Sequence, residues 1–187
     1  MDVRAILALF CSPESIAFEY IWQHGSAVAQ KALQVASRMG IAAIDNDFLY
    51  EAAILHDLGI LKTNASRFGC FGEHPYISHG YLGRDMLDTV GYPLHALICE
   101  RHVGTGLTLD DIRAFSLPLP HRDMRPVTLE EQIICFADKF FSKDDVTLAT
   151  EKPLAIVRQN IAKYGEDKLA TFDKWCILFR EGQAENP

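Results

Sequence analysis

The stretch Ala52-Ala53-Ile54-Leu55-His56-Asp57-Leu58-Gly59 sets an imidazole and a carboxylate side by side at the end of an apolar run. Two groups of that polarity beside Leu55 and Leu58 are costly to bury without partners. A divalent metal is one such partner, since it neutralises the carboxylate and accepts the imidazole lone pair. The bland alternative is local. An isolated His-Asp pair ordinarily caps a helix end and hydrogen-bonds nearby.

Working outward, the punctuation is helical. Asp45-Asn46-Asp47 caps a helix from Phe48 to about Asp57, and Gly59 ends it. Upstream, Ser12-Pro13-Glu14-Ser15 offers an N-cap, a proline at the first helical position and an acid in the first turn. The helical pattern then runs to Met39 before Gly40, with Ala29, Ala32, Leu33, Val35, Ala36 and Met39 at three- and four-residue steps. His24-Gly25-Ser26 interrupts it, which leaves open two helices with His24 near their joint. Residues 62–78, holding Gly69, Gly72 and Pro75, read as a loop. Helices follow from His79 to Val90 and from Pro93 to His102, and a short one begins at Thr108. Leu117-Pro118-Leu119-Pro120-His121-Arg122-Asp123 is excluded from regular structure by its prolines. Thr128-Leu129-Glu130-Glu131 is a capping box opening an apolar helix through Phe141. Two more helices run from Pro153 to about Tyr164 and from Asp167 to Arg180. Strand alternation is lacking. The expectation is an all-α helical bundle of about seven to nine helices. It forms a single domain over 1–187, with a motif-bearing core at about 20–145 and C-terminal helices 153–180 packed on it.

Composition narrows the function. The 187 residues are 49% hydrophobic and 23% charged, ordinary for one globular domain. A net charge of -7 lacks the positive field that gathers phosphate backbones, so a nucleic-acid polymer is not the expected partner. Five scattered cysteines without a C-x-x-C pair argue against a zinc ribbon or a disulfide framework and for buried thiols of a cytoplasmic protein. The apolar run Ala5 to Cys11 is too short to span a membrane.

Seven histidines stand out. His24, His79 and His102 lie on or beside separate helices, and Asp138 sits in the apolar Cys135-Phe136-Ala137-Asp138-Lys139-Phe140-Phe141. In a helical bundle such residues can converge on one interior metal site.

The ordered set His24, His56-Asp57, His79, His102 and Asp138 resembles the H…HD…H…H…D pattern of the HD-domain metal-dependent phosphohydrolase superfamily, in particular its HDIG-type predicted hydrolases. Leu55-His56-Asp57-Leu58-Gly59, His79-Gly80 with Gly83, Arg101-His102-Val103-Gly104 with Gly106, and Ala137-Asp138-Lys139 share the likeness. The resemblance implies His24, His56, Asp57 and Asp138 on one metal, with Asp57 bridging to a second held by His79 and His102. It implies one or two divalent transition-metal ions, Fe or Mn first, with Co, Ni, Zn or Mg as alternatives. The substrate would be a small phosphorylated metabolite or nucleotide, its phosphomonoester or phosphodiester attacked by a metal-bound hydroxide. Asp57, Lys62 and Arg101 are the expected catalytic residues, and Lys62, Arg101, Lys139 and His74 the expected substrate contacts. One departure bears on Lys62. Many relatives place a lysine directly after Ile-Gly, whereas here Leu58-Gly59-Ile60-Leu61-Lys62 sets it two places later.

Two competing readings remain at this point: a mixed-valent di-iron oxygenase with the same ligand pattern, and a metal-binding regulatory module without turnover. His95 is expected to be structural and His121 to lie on the surface. The sequence leaves a homo-oligomer open and calls for no membrane partner.

Overall fold

The computed structural model describes residues 1–143 and 149–182. Nine α-helices, three short 3-10 turns and one two-stranded ribbon make up its regular elements among these residues. None of the described helices is long and apolar enough to cross a membrane.

A short helix, α1 (Val3–Ala8), is capped by the Asp2 carboxylate, which accepts from the Ala5 amide. The long helix α2 (Ile16–Met39) starts later than the sequence suggests. Its N-cap is Ser15, whose hydroxyl accepts from the Phe18 amide, and Ser12 is used in the preceding turn. Gly40 closes it in the left-handed conformation at φ 63°. The helix does not break at His24-Gly25-Ser26. A Cβ on Gly25 would lie 2.7 Å from the Ile54 backbone, so the glycine is where α2 crosses α3 (Asn46–Leu55). That crossing brings His24 toward His56.

Helix α3 ends before the His56-Asp57 pair. His56 is its C-cap, and Asp57 leads into a 3-10 turn, Leu58–Lys62. Residues 62–78, expected as a loop, contain a small antiparallel ribbon, β1 (Asn64–Ala65) and β2 (Cys70–Phe71), with Asn64 opposite Phe71. Strands of two residues are too short to carry an alternating pattern. Helices α4 (His79–Thr89) and α5 (Pro93–Arg101) follow, then α6 (Leu109–Ala114) and α7 (Leu129–Asp138). The chain closes with α8 (Leu154–Ala162) and α9 (Glu166–Leu178).

The full capping box forms at Thr108 and Asp111, on α6. At α7 only half of the expected box is present. The Thr128 hydroxyl accepts from the Glu131 amide, but the Glu131 carboxylate accepts from the Val127 amide and from Arg101. An arginine on α5 has redirected the acid.

The core is continuous from Leu7 and Ile21 through Leu49, Leu55 and Ile98 to Phe136 and Phe172. Helix α9 meets α7 through aromatic rings: Phe136 stacks on Phe172 with centroids 5.0 Å apart and meets Phe179 edge-on at 5.1 Å. Buried charges are paired. Lys31 donates to Glu151 and Glu181, and Glu100 accepts from Arg84 and Arg122.

Gly59 fixes the approach of the 3-10 turn to α4. A Cβ there would stand 1.9 Å from the His79 carbonyl oxygen and 2.3 Å from the Gly83 nitrogen, both backbone atoms. Gly59→Ala is therefore expected to lower stability by about 3 kcal/mol or more, at the upper end of overpacking costs, because backbone cannot rotate away. Urea unfolding of the variant, read against the wild type, checks this.

Candidate metal centre

Six side chains from five parts of the fold meet at one buried point. His24 comes from the middle of α2, His56 and Asp57 from the end of α3, and His79 from the start of α4. His102 follows α5 and Asp138 ends α7. All six are buried, His24 and His56 completely and Asp57 at 1% exposure.

Asp57 organises the group. Its Oδ1 lies 3.4 Å from His79 Nε2 and 3.2 Å from His102 Nε2. Its Oδ2 lies 3.5 Å from His24 Nε2 and 3.7 Å from His56 Nε2. The two oxygens of one carboxylate thus face two different imidazole pairs. Asp138 Oδ1 completes the second face, 3.0 Å from His24 Nε2 and 3.5 Å from His56 Nε2. His79 and His102 present their Nε2 atoms to each other at 3.0 Å. Donors about 2.1 Å from one shared cation stand roughly 3.0–3.4 Å apart in octahedral or tetrahedral arrangements. Two ligand triads have donor atoms within 4.8 Å of one another: His24, His56 and Asp138, and His56, Asp57 and His102.

Backbone carbonyls orient three of the imidazoles. His56 Nδ1 donates to the Ala53 carbonyl at 2.6 Å, and His102 Nδ1 to the Cys99 carbonyl at 2.8 Å. Both carbonyls lie in the last turn of a helix, where no amide follows to satisfy them. His79 Nδ1 donates to the Tyr76 carbonyl at 2.7 Å. A carbonyl only accepts, so Nδ1 carries the proton and the Nε2 lone pair is left facing the cluster. The His56 Nε2 atom has no hydrogen-bond partner among the described residues. That buried, unpartnered lone pair fits a metal ion.

The electrostatics agree with this picture. Burial pushes the His79 imidazole down to about 3 and that of His102 down to about 4, against the pull of Asp57. His24 is lowered by burial as well. Burial opposes ionisation of Asp57, but the Lys143 ammonium outweighs it and holds the carboxyl well below the usual range. Asp138 is held low in the same way by Lys139 and Lys143. Neutral imidazoles beside ionised carboxylates are the protonation states that metal ligation needs.

Thiolates take no part. Cys135 donates to the His102 carbonyl, and burial pushes its thiol up to about 12. An N/O donor set of this kind suits Mn, Fe, Co, Ni or Mg more than structural zinc.

A cavity of about 660 Å³ opens on the cluster at His79, His102 and Asp138. Its walls are largely apolar, with Val103, Leu107, Leu117, Val157 and Ile161 among the lining side chains. Lys139 and Lys143 stand at its inner end.

The expected substrate contacts fare differently. Lys139 lines the cavity, where its ammonium donates to Asp138 Oδ2 at 2.8 Å and to the His102 carbonyl at 3.1 Å. Lys62, Arg101 and His74 do not line the cavity. Lys62 is exposed at the end of the 3-10 turn. Arg101 is held by both oxygens of Glu131, at 2.8 and 3.0 Å. His74 is exposed, its backbone paired with Lys62 and Asn64. His95 is buried between the rings of Phe48 and Tyr92, 3.5 Å from Glu51, and His121 is exposed.

Sequence reasoning missed Lys143, whose ammonium lies 2.7 Å from Asp57 Oδ2. Its signal was faint: a lysine a little beyond one helical turn past Asp138, in a stretch where α7 has already ended. It also missed two phenols. The Tyr20 ring stacks on His24, and its hydroxyl is buried without a hydrogen-bond partner among the described residues. The Tyr76 ring lies against His79.

The profile of the family described as HD domain matches residues 21–142. An uncharacterized protein of Methanocaldococcus jannaschii is 33% identical over 159 residues, covering 80% of this chain and 83% of that protein. Two proteins named tRNA (cytidine(56)-2'-O)-methyltransferase are also similar. The one from Thermoplasma volcanium is 28% identical and the one from Picrophilus torridus 29% identical, each over 129 residues. In each case 68% of this chain is covered, and the chain spans 33% of the relative's length. No solved structure matches the chain significantly.

Two outcomes follow for metal binding. Asp57→Ala and Asp138→Ala should each weaken Mn²⁺ binding by more than about 100-fold, exceeding the loss typical of an outer-shell partner, while His121→Ala binds as the wild type does. Elemental analysis after dialysis reads this directly. The second outcome concerns pH. Protons compete with metal only below a ligand's own pKa, and those of His79 and His102 lie at about 3 and about 4 rather than near 6.5. His79 and His102 should therefore stay neutral in the metal-free protein between pH 7.5 and 5.5, leaving their Nε2 lone pairs open to Mn²⁺ throughout that range. NMR titration of the two imidazoles checks this, and a midpoint near 6.5 at either would assign it the ordinary value.

Proposed function

Because the chain belongs to the HD-domain family, whose members bind divalent metals, we propose that it is a metal-dependent phosphohydrolase acting on a small phosphorylated metabolite or nucleotide. The observation that carries this reading is the Asp57 carboxylate, set between two imidazole pairs beside a cavity with two lysines at its inner end. A divalent metal, when bound, supplies the positive charge that activates water and offsets charge on phosphoryl oxygens.

The chain's own residues do the rest. Asp57 and Asp138 are buried and ionised, so they present full negative charge without a conformational change. Lys139 holds Asp138 against the end of α5 through its bond to the His102 carbonyl, and is a positioning residue in this scheme. The apolar walls of Val103, Leu107 and Leu117 exclude water around the body of a substrate and strengthen the local electrostatics. About 660 Å³ is the volume of a small-molecule site rather than of a polymer groove. With a net charge of -7 the chain gathers a phosphate only through this local set of cations. The methyl transfer named for the two tRNA methyltransferases is not carried to this chain, which spans a third of each.

The test is a panel of phosphomonoesters and phosphodiesters, including nucleotides and sugar phosphates, incubated with Mn²⁺- or Fe²⁺-loaded protein. Release of inorganic phosphate or of the free alcohol is expected. It should stop with a chelator, return with Mn²⁺, and be lost in Asp57→Ala. Oxygen uptake on substrate addition, without hydrolysis, would overturn the reading in favour of oxidation.

A further inference from the structure

Lys143 stands where its charge is shared with the centre. Its ammonium lies 2.8 Å from Asp57 Oδ1 and 2.7 Å from Asp57 Oδ2, and 3.8 Å from Asp138 Oδ1. These are the oxygens that face the four imidazoles. A cation bound between the imidazoles and Asp57 would therefore draw on the same carboxylate as the ammonium. Two like charges this close in a buried site repel strongly.

The lysine has somewhere to go. It lines the cavity's inner end beside Tyr76, with its side chain 18% exposed, on a flexible four-carbon stem. The other lysines of the cavity are held by protein groups. Lys139 bonds Asp138 Oδ2 and the His102 carbonyl, Lys152 the Phe141 carbonyl, Lys163 the Asn160 side chain, and Lys168 the Asp111 carboxylate. Among these five, Lys143 is the one that reaches both Asp57 and Asp138. The cations expected from the sequence do not compete for the role, since Lys62 is exposed and Arg101 is held by Glu131.

Resting on the metal-dependent reading above, we propose that Lys143 is the phosphate-binding residue of this site, and that its ammonium exchanges the Asp57 carboxylate for the substrate's phosphate when Asp57 takes up metal. The exchange is a change of ion-pair partner, with no covalent step. The negative charge that Lys143 gives up at Asp57 is returned by the phosphate, so the ligand enters only when the carboxylate is otherwise engaged. Binding is thereby ordered, metal first and phosphate second.

The experiment titrates Mn²⁺ into chelator-stripped wild type and Lys143→Met, then titrates inorganic phosphate into both Mn²⁺-loaded proteins. Removing the competing ammonium should tighten Mn²⁺ binding by about tenfold or more and weaken phosphate binding by a similar factor. Equal or weaker Mn²⁺ binding by the variant, with the wild type binding normally, overturns the exchange and leaves the metal-dependent reading standing. A wild type that binds no Mn²⁺ or Fe²⁺ overturns both. A second measurement needs no variant. Amine acetylation of the wild type, mapped by mass spectrometry, should rise at Lys143 on adding Mn²⁺ and fall again on adding phosphate. Labelling at Lys143 that Mn²⁺ leaves unchanged overturns the proposal even where Lys143→Met does not fold.

Discussion

A carboxylate 1% exposed to solvent needs positive charge around it, and at Asp57 the Lys143 ammonium supplies it beside imidazole nitrogens placed to hold a cation. Four imidazoles and one ammonium surround its two oxygens, drawn from α2, the end of α3, the start of α4, the end of α5 and the chain beyond α7. No single helix could satisfy the group. Its burial is therefore a constraint on how the helices pack. The crossing of α2 over α3 at Gly25 and the contact of the 3-10 turn with α4 at Gly59 are backbone approaches that set these donors at bonding distance.

The second regularity lies in the helix termini. His56, His102 and Asp138 all stand where a helix finishes, at α3, α5 and α7. A helix C-terminus carries partial negative charge and unsatisfied carbonyls. Here the carbonyls of Ala53 and Cys99 fix the imidazole tautomers, and the converging ends add to the attraction for a cation. The same backbone feature thus orients the donors and sets the sign of the field.

Much of the all-helical architecture and the candidate cluster was legible because both rest on local signals. Asp45 before Phe48, Gly40 after Met39 and the apolar spacing of α2 are short-range features, and His-Asp at a helix end is costly unless partnered. Less was legible where a distant residue decides the placement. Gly25 was taken as an interruption because its use, contact with the Ile54 backbone, lies on another helix. Arg101 sits beside His102 in sequence, yet a helix turns neighbours to different faces, and Glu131 claims it. Lys62 follows the His-Asp pair closely, but the 3-10 turn carries it outward. Lys143 carried no motif at all, and only the packing places it on Asp57.

The cavity's two sides come from different parts of the chain. The donors lie between His24 and Asp138, whereas Val157, Ile161 and Tyr164 form the opposite wall from α8 and the turn after it. Those three side chains touch none of the six donors through a hydrogen bond or ion pair among the described residues. Donor cluster and cavity wall are in that sense separable: substitutions on α8 can change what the cavity admits while all six donors keep their places.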